Sequence, residues 1–276
     1  MKKIIFKTTV GFGILALTLG SCQKLAGDEI GSLLGEDETA IETSEQQIDS
    51  DADNASMKTY CEPKDFGECA TVTEEFPDGG DYPKIVTIDF GEDGCNERKG
   101  KMIIVISDDL HNSGANRTVT FVDFYHHDKQ IEGTRSITNV GFSEAGNILF
   151  DVNNDVSITG ERGTHTRTRV GQKEWIAGSE TDDCMDDEFY LTGTSTGTHC
   201  EGKSVTKTIT EKLHIARSCK HPLSGTIEIK GDRGEKILDF GAGECDSEAT
   251  ITGEKGTKQV DLDEIHKKGK GKKRRK

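Results

Sequence analysis

From Tyr82 onward, apolar residues recur at every second position in short runs. Lys84–Phe90 sets Val86, Ile88 and Phe90 on one side of an extended chain. Leu223, Gly225, Ile227 and Ile229 alternate with Ser224, Thr226, Glu228 and Lys230, and Ile148, Phe150 and Val152 repeat the pattern, as do Val156 and Ile158. Period two with one polar face predicts antiparallel strands that turn one face to a core and one to water. Further runs lie at 101–107, 117–125, 130–138, 165–176, 188–196, 203–215, 235–240 and 248–252, separated by Gly, Asn and Asp. No amphipathic helix of normal length is visible in 82–260. The expected fold is all-β: one elongated antiparallel meander or sandwich-like domain over 65–262, of about ten to twelve strands.

Two echoes run through this region. Asp89-Phe90-Gly91 with Cys95 matches Asp239-Phe240-Gly241 with Cys245. A hydrophobic-x-Gly-Thr pattern recurs at Ile131–Thr134, Leu191–Thr194 and Leu223–Thr226. The intervals are unequal, so a solenoid or propeller is excluded. A duplicated meander, or two equivalent sheet edges, accounts for them.

Residues 22–64 have another texture. GEDETAIETSEQQIDSDADNAS (35–56) is acidic and lacks aromatics. Low hydrophobicity with high charge does not offset ordering entropy. The expectation is a flexible acidic tether with one short helix around Glu38–Gln47.

The first residues read as a leader over 1–21. MKKIIFK is basic, Val10–Leu19 is apolar but too short to span a bilayer, and Gly20-Ser21-Cys22 follows. Leu19–Cys22 resembles a bacterial lipobox. The resemblance implies that Cys22 becomes the mature N-terminus, carrying diacylglycerol on sulfur and an acyl chain such as palmitate on nitrogen. Several acyl chains give stable anchoring. The competing reading is an ordinary cleaved signal that happens to end near a cysteine. Gln23 after Cys22, in the proteobacterial sorting pattern, implies the outer membrane, with the periplasmic or surface face left open. Asp28-Glu29 resembles the acidic surface-export signals of Bacteroidetes lipoproteins.

Charge refines this picture. The chain carries 35 Lys+Arg against 50 Asp+Glu, a formal −15, which argues against nucleic acid as the main partner. Residues 267–276 hold eight Lys/Arg and no acid. The stretch 263–276 is therefore expected as a disordered basic tail. It has three readings: a contact to an anionic envelope polymer, a contact to the acidic body, or a solvated end. The membrane, through Cys22, is the expected partner; protein partners are left open.

Eight cysteines, less a lipidated one, leave an odd seven. The preferred disulfides are Cys69–Cys95 and Cys219–Cys245, each joining residues that flank neighbouring strands, with Cys184–Cys200 as a third. Zinc competes at Cys219/His221 and His199/Cys200, but no CxxC or HxxxH spacing accompanies them. No metal or cofactor is expected.

Other chemistry is weaker still. Asp151, Asn153 and Asp155 imitate half a calcium loop but lack its Gly and its final Glu, and Asp49, Asp51 and Asp53 fail likewise. Both sets read as turn or solvated acids. Asp182, Asp183, Asp186, Asp187 and Glu188 read as surface carboxylates. His126-His127-Asp128 reads as an exposed hairpin tip. Trp175 reads as core before sugar platform. No nucleophile elbow is present, so no catalytic residue is assigned.

CATVT (69–73), YPKIVTIDFGEDGC (82–95), KGKMII (99–104), RTVTF (117–121), IEGTRSITN (131–139), KEWIAG (173–178), EGKSVTKTIT (201–210), SGTIEI (224–229) and LDFGAGECDSEATIT (238–252) together resemble a family of uncharacterised outer-membrane lipoproteins of the Bacteroidetes type. The resemblance covers roughly 65–260 and implies localisation and fold, with no activity to carry over. Cys61, Cys184, Cys200 and the basic tail depart from the family pattern. The functional expectation is a lipid-anchored envelope protein, a non-enzymatic binding or structural module. The alternatives are a carbohydrate-active hydrolase whose carboxylates converge in the fold, and an envelope lipid carrier.

Overall fold

The structure, a computed structural model, describes residues 30–56, 66, 69–161, 163–181, 183–199, 202–232 and 234–265, with the backbone alone for 30–37. The leader, Cys22, Cys61, Asp182, Cys200 and residues 266–276 of the basic tail lie outside the described residues.

The alternating segments form the expected all-β antiparallel meander. Its strands are β1 (Thr71–Glu75), β2 (Lys84–Asp89), β3 (Arg98–Ile106), β4 (Asn116–His126), β5 (Lys129–Phe142), β6 (Ile148–Gly160), β7 (Gly163–Ala177), β8 (Glu188–Thr198), β9 (Ser204–Ala216), β10 (Ser224–Gly231), β11 (Gly234–Ala242), β12 (Glu248–Gly253) and β13 (Gly256–Asp261). All 13 lie in one sheet in chain order, with β1 and β13 as its edges. Those two edge strands are the ones without a marked alternation in the sequence: TVTEE and GTKQVD are almost wholly polar. Each is recruited by pairing with its neighbour, β1 with β2 and β13 with β12.

The sheet curls so that one face becomes an interior. The hydrophobic-x-Gly-Thr echoes mark where it does so. Gly133, Gly193 and Gly225 have φ of 113°, 132° and 110°. A Cβ at these positions would lie 2.2, 2.4 and 2.4 Å from the backbone oxygens of Asp155, Val170 and Lys212 on the adjacent strand. Only glycine permits that approach, and the local kinks bend a sheet that would otherwise stay open. The other echo is also structural. Asp89 and Asp239 each accept from the N–H two residues on, Gly91 and Gly241, at 2.9 Å. The cysteine after each is bonded: Cys69–Cys95 and Cys219–Cys245, both with Cα atoms 5.6 Å apart. The β1–β2 and β10–β11 hairpins are thus two copies of one stapled unit.

The third disulfide is a correction. Cys184 sits in a 3₁₀ turn, Cys184–Asp186, just before β8, whereas Cys200 follows its end. An extended strand of 11 residues spans roughly 35 Å, far beyond the Cα separation a disulfide tolerates. Cys184 is disulfide-bonded, so its partner is another cysteine outside the described residues.

The interior is occupied. Ile30–Ser56 form one 27-residue helix, α1. Its side chains from Glu38 to Glu42 are buried consecutively, which requires protein on every side of the helix. The flexible tether expected over this stretch is corrected to a core element. In an unpacked segment water would solvate these acids; in the fold, cationic side chains of the sheet take over that role.

Candidate functional site

Two apolar clusters fill the curl, and a band of charge lies between them. One cluster gathers Ile41, Ile48, Ala52 and Ala55 of α1 with Val86, Ile88, Met102, Ile104, Val119, Val156 and others from β2–β6. The second contains Phe150, Trp175, Phe189, Leu213, Ile227, Leu238 and Ile251 from β6–β12, and no residue of α1. Between them, cationic side chains from five strands meet the carboxylates of the helix.

The pairing proceeds along α1. Glu38 Oε2 accepts from the Arg167 guanidinium on β7, and Lys207 Nζ on β9 lies 3.3 Å from the same oxygen. Glu42 lies between Arg169 Nη1 at 3.3 Å and Lys207 Nζ at 3.4 Å. Arg135 on β5 forks onto Asp49, donating from Nε at 3.0 Å and from Nη2 at 2.6 Å, and reaches Glu45 with Nη1 at 3.3 Å. Arg98 on β3 forks onto Asp51 at 2.6 and 2.7 Å. Asp53 accepts from Arg117 Nη1 and Lys173 Nζ, both at 2.5 Å. Arg135 and Arg167 are among the largest fully buried side chains of the protein.

These partners decide the charge states. Burial alone would raise Glu38, but Lys207, a hydrogen bond from His165 and Arg167 outweigh it and hold the carboxyl well below its usual range. Burial also opposes ionisation of Glu42, and Arg169 and Lys207 still draw it down to about 2. Asp53 is lowered despite burial by Lys173, Arg117 and Arg217. Glu38, Glu42 and Asp53 are therefore fixed charges near neutrality. None of these three is the raised-pKa acid a glycosidase requires.

Asp187 behaves differently. Burial pushes it up to about 6, against Arg217 and the hydrogen bond from Trp175 Nε1, which is 3.0 Å from Oδ1. Trp175 is buried and packs on Phe189 at 5.6 Å, the core role expected of it.

Two cavities adjoin the band. One of about 50 Å³ lies against the C-terminal half of α1, beside Gln46, Asp53, Arg169 and Arg217. The other, about 260 Å³, lies at one end of the curl, between the β4–β5 tip and the loops at the far side of the sheet. His126, His127, His221 and Asp263 line it. Among the described residues no three His, Cys, Asp or Glu side chains are grouped to hold a metal.

The remaining sequence candidates scatter. Asp151, Asn153 and Asp155 stand on straight β6 and cannot wrap a cation; Asp151 accepts from Gln172 at 3.2 Å. Asp183 caps the 3₁₀ turn, Asp186 accepts from Thr181, and Glu188 pairs with His214 at 2.7 Å. His126 is buried at the end of β4, not exposed at a tip. Cys219 is consumed in its disulfide, and His199 lies 3.2 Å from Asp232. Asp49, Asp51 and Asp53, expected as solvated acids, are three of the six helix carboxylates of the interior charge band.

The cations of the band were missed, yet their signal is in the sequence. Arg135 shares parity with Ile131 and Ile137; Arg167, Arg169 and Lys173 share it with Trp175; Lys207 shares it with Val205. On a strand, equal parity means the same face. Cations at core parity demand buried anions, and α1 is the acid-rich segment left to supply them.

Searches of protein families, curated proteins and solved structures give no match to this chain.

Proposed function

We propose that this chain is a lipid-anchored protein of the outer membrane whose β domain is a binding or structural module and not a catalyst. The leader, the lipobox-like Leu19–Cys22 and the family resemblance support the anchor. The observation that carries the reading is the position of α1. Ile30 follows Cys22 by eight positions, a reach of at most about 28 Å. An anchor on Cys22 would hold the domain close to the bilayer and pass any load into the ion-paired centre of the sheet. The interior that a lipid carrier would offer its cargo is taken by α1, which favours the module over the carrier. The basic tail, with eight Lys/Arg in 267–276, is where an anionic envelope polymer would be held.

The test is metabolic labelling with palmitate together with disulfide mapping of the mature protein. Incorporation of label that a Cys22→Ala substitution abolishes is the expected result. An acylated Cys22 has no sulfur for Cys184, so the mapping should join Cys184 to Cys61. A Cys22–Cys184 peptide, or an unlabelled mature chain, would overturn the anchor. Protease shaving of intact cells then reports which face the domain occupies.

A further inference from the structure

We infer that the cavity of about 50 Å³ against the C-terminal half of α1 is a binding site for one small monovalent anion of chloride size, held by Arg117, Arg169 and Lys173. The site goes beyond the module reading above and does not depend on it.

Charge is the first ground. Among the described residues, seven strand cations of the band face six helix carboxylates. The excess is local. Arg135 has both Glu45 and Asp49, whereas Arg117 and Lys173 rest on the single carboxylate of Asp53. Arg169 shares Glu42 with Lys207. Arg217 also approaches Asp53, at 4.0 Å, but assigning it wholly to Asp187 leaves the excess in place. A buried charge without its counter-charge is costly. Burial and Arg117 push the Lys173 ammonium below its ordinary pKa, against Asp53 and Asp49, as expected where negative charge is short. Lys173 also leans on the face of Phe189, 3.8 Å from the ring centre, which compensates an ammonium only in part.

Geometry is the second ground. Arg117, Arg169 and Lys173 all line the cavity and are buried. Their donors are not exhausted. Arg117 makes its hydrogen bonds to Asp53 and Ser56 through Nη1, and its buried Nε has no hydrogen-bond partner. Arg169 makes one hydrogen bond, from Nη1 to Glu42. The two carboxylates on the cavity wall are committed to cations of their own. Asp49 accepts from Arg135 through both oxygens, and Asp53 accepts from Arg117 through one and from Lys173 through the other. Val152 and Leu191 add apolar wall, where the attraction between unlike charges is strong. The cavity exceeds the about 10–15 Å³ that one water needs, so a halide fits and a sugar acid does not. Water would accept from Arg117 Nε but would leave the excess charge uncompensated.

The experiment is urea unfolding of the mature chain, followed by its β-sheet circular dichroism, with chloride replacing gluconate at fixed ionic strength. An anion that binds only the folded chain multiplies the folding constant by one plus the ratio of its concentration to Kd. The expected result is a rise of at least tenfold that becomes proportional to chloride, the mark of one anion per folded chain, with bromide acting like chloride. No rise at fixed ionic strength overturns the proposal. Arg117→Met should abolish the rise. Asp53→Asn should enlarge it at least tenfold, because the carboxylate that competes for Arg117 and Lys173 is gone. A core without an anion site predicts that both variants change stability equally in chloride and in gluconate. A chloride effect that both variants retain unchanged would belong to surface cations and overturn the site. Should the variants fail to fold, crystals of wild type grown in bromide decide. An anomalous peak within hydrogen-bonding distance of Arg117 Nε supports the site; peaks confined to exposed lysines overturn it. None of these readouts depends on acylation of Cys22, so the anchor and the anion site fail separately.

Discussion

The two sides of α1 are attached by different physics. Toward β2–β4, Ile41, Ile48, Ala52 and Ala55 sit in a continuous apolar cluster, flanked by two ion pairs, Asp51 with Arg98 and Asp53 with Arg117. Toward β5, β7 and β9, the helix meets the sheet through Glu38, Glu42, Glu45 and Asp49 against Arg135, Arg167, Arg169 and Lys207. Apolar burial is non-directional and tolerates a slide of the helix along its axis. Buried ion pairs do not: a shift of one turn would set carboxylates against the wrong guanidinium groups or against none. The apolar side gives the helix a place and the charged side gives it a register. A buried pair is a poor source of net stability and a severe liability once one member is removed.

That asymmetry sets the largest expected effect. Arg135→Ala leaves Glu45 and Asp49 without their guanidinium, and loss of one partner of a buried pair costs about 3–5 kcal/mol. Ile48→Ala removes buried apolar volume on the opposite side and costs about 2–4 kcal/mol. Urea unfolding followed by the fluorescence of Trp175, the one tryptophan of the chain, measures both. A loss for Arg135→Ala clearly below that for Ile48→Ala would mean that the charged side is a spectator and the comparison is wrong.

Acid separates the two sides without mutation. Glu38, Glu42 and Asp53 have carboxyls depressed in the fold, Glu42 from 4.5 to about 2. A depressed carboxyl contributes its full stability above its unfolded value and loses it as pH falls toward the folded one. Stability should therefore hold from pH 7 to about 5 and erode from pH 4.5 down to about 2. The apolar contacts of Ile41, Ile48, Ala52 and Ala55 hold no titrating group and should not respond. Urea midpoints across this range test it, and a flat profile down to pH 2 would remove the electrostatic account of the register.

How much of this was legible follows the same division. The strands could be read because each carries its own period-two signal, and even the curl left a mark in the Gly-Thr echoes. The two hairpin disulfides could be read because their cysteines flank adjacent strands. The helix could not be read from its own residues. GEDETAIETSEQQIDSDADNAS has too few apolar side chains to predict burial by any local rule, and its partners are spread over five strands between Arg98 and Lys207. Recognising it required treating Arg135 and Arg167 as interior residues because they share parity with Ile137 and Trp175. That is a non-local inference, since it depends on the sheet closing over them. Cys184 was misjoined for a related reason: its nearest cysteine in sequence is separated from it by a full strand.

The smallest expected effect concerns the one interior carboxyl whose shift runs the other way. Asp187 is raised from 3.8 to about 6, first by burial, with Arg217 and the Trp175 hydrogen bond opposing and Asp53 assisting. Lys173 also faces it and favours its charged form. A carboxyl raised in the fold stabilises below its unfolded value and loses that contribution as pH rises through the folded one. Near neutrality, then, Asp187 is ionised at a cost that the α1 carboxylates avoid through their forked partners. Asp187→Asn keeps an oxygen to accept from Trp175 and removes the buried charge. The gain at pH 7.5 should be about 1 kcal/mol after discounting the lost attraction of Arg217, and it should vanish below about pH 4, where both forms are neutral. The same urea titrations at pH 7.5 and pH 4 measure it. A variant less stable than wild type at pH 7.5 would show that Arg217 needs the Asp187 charge, extending the charge band of α1 to the start of β8.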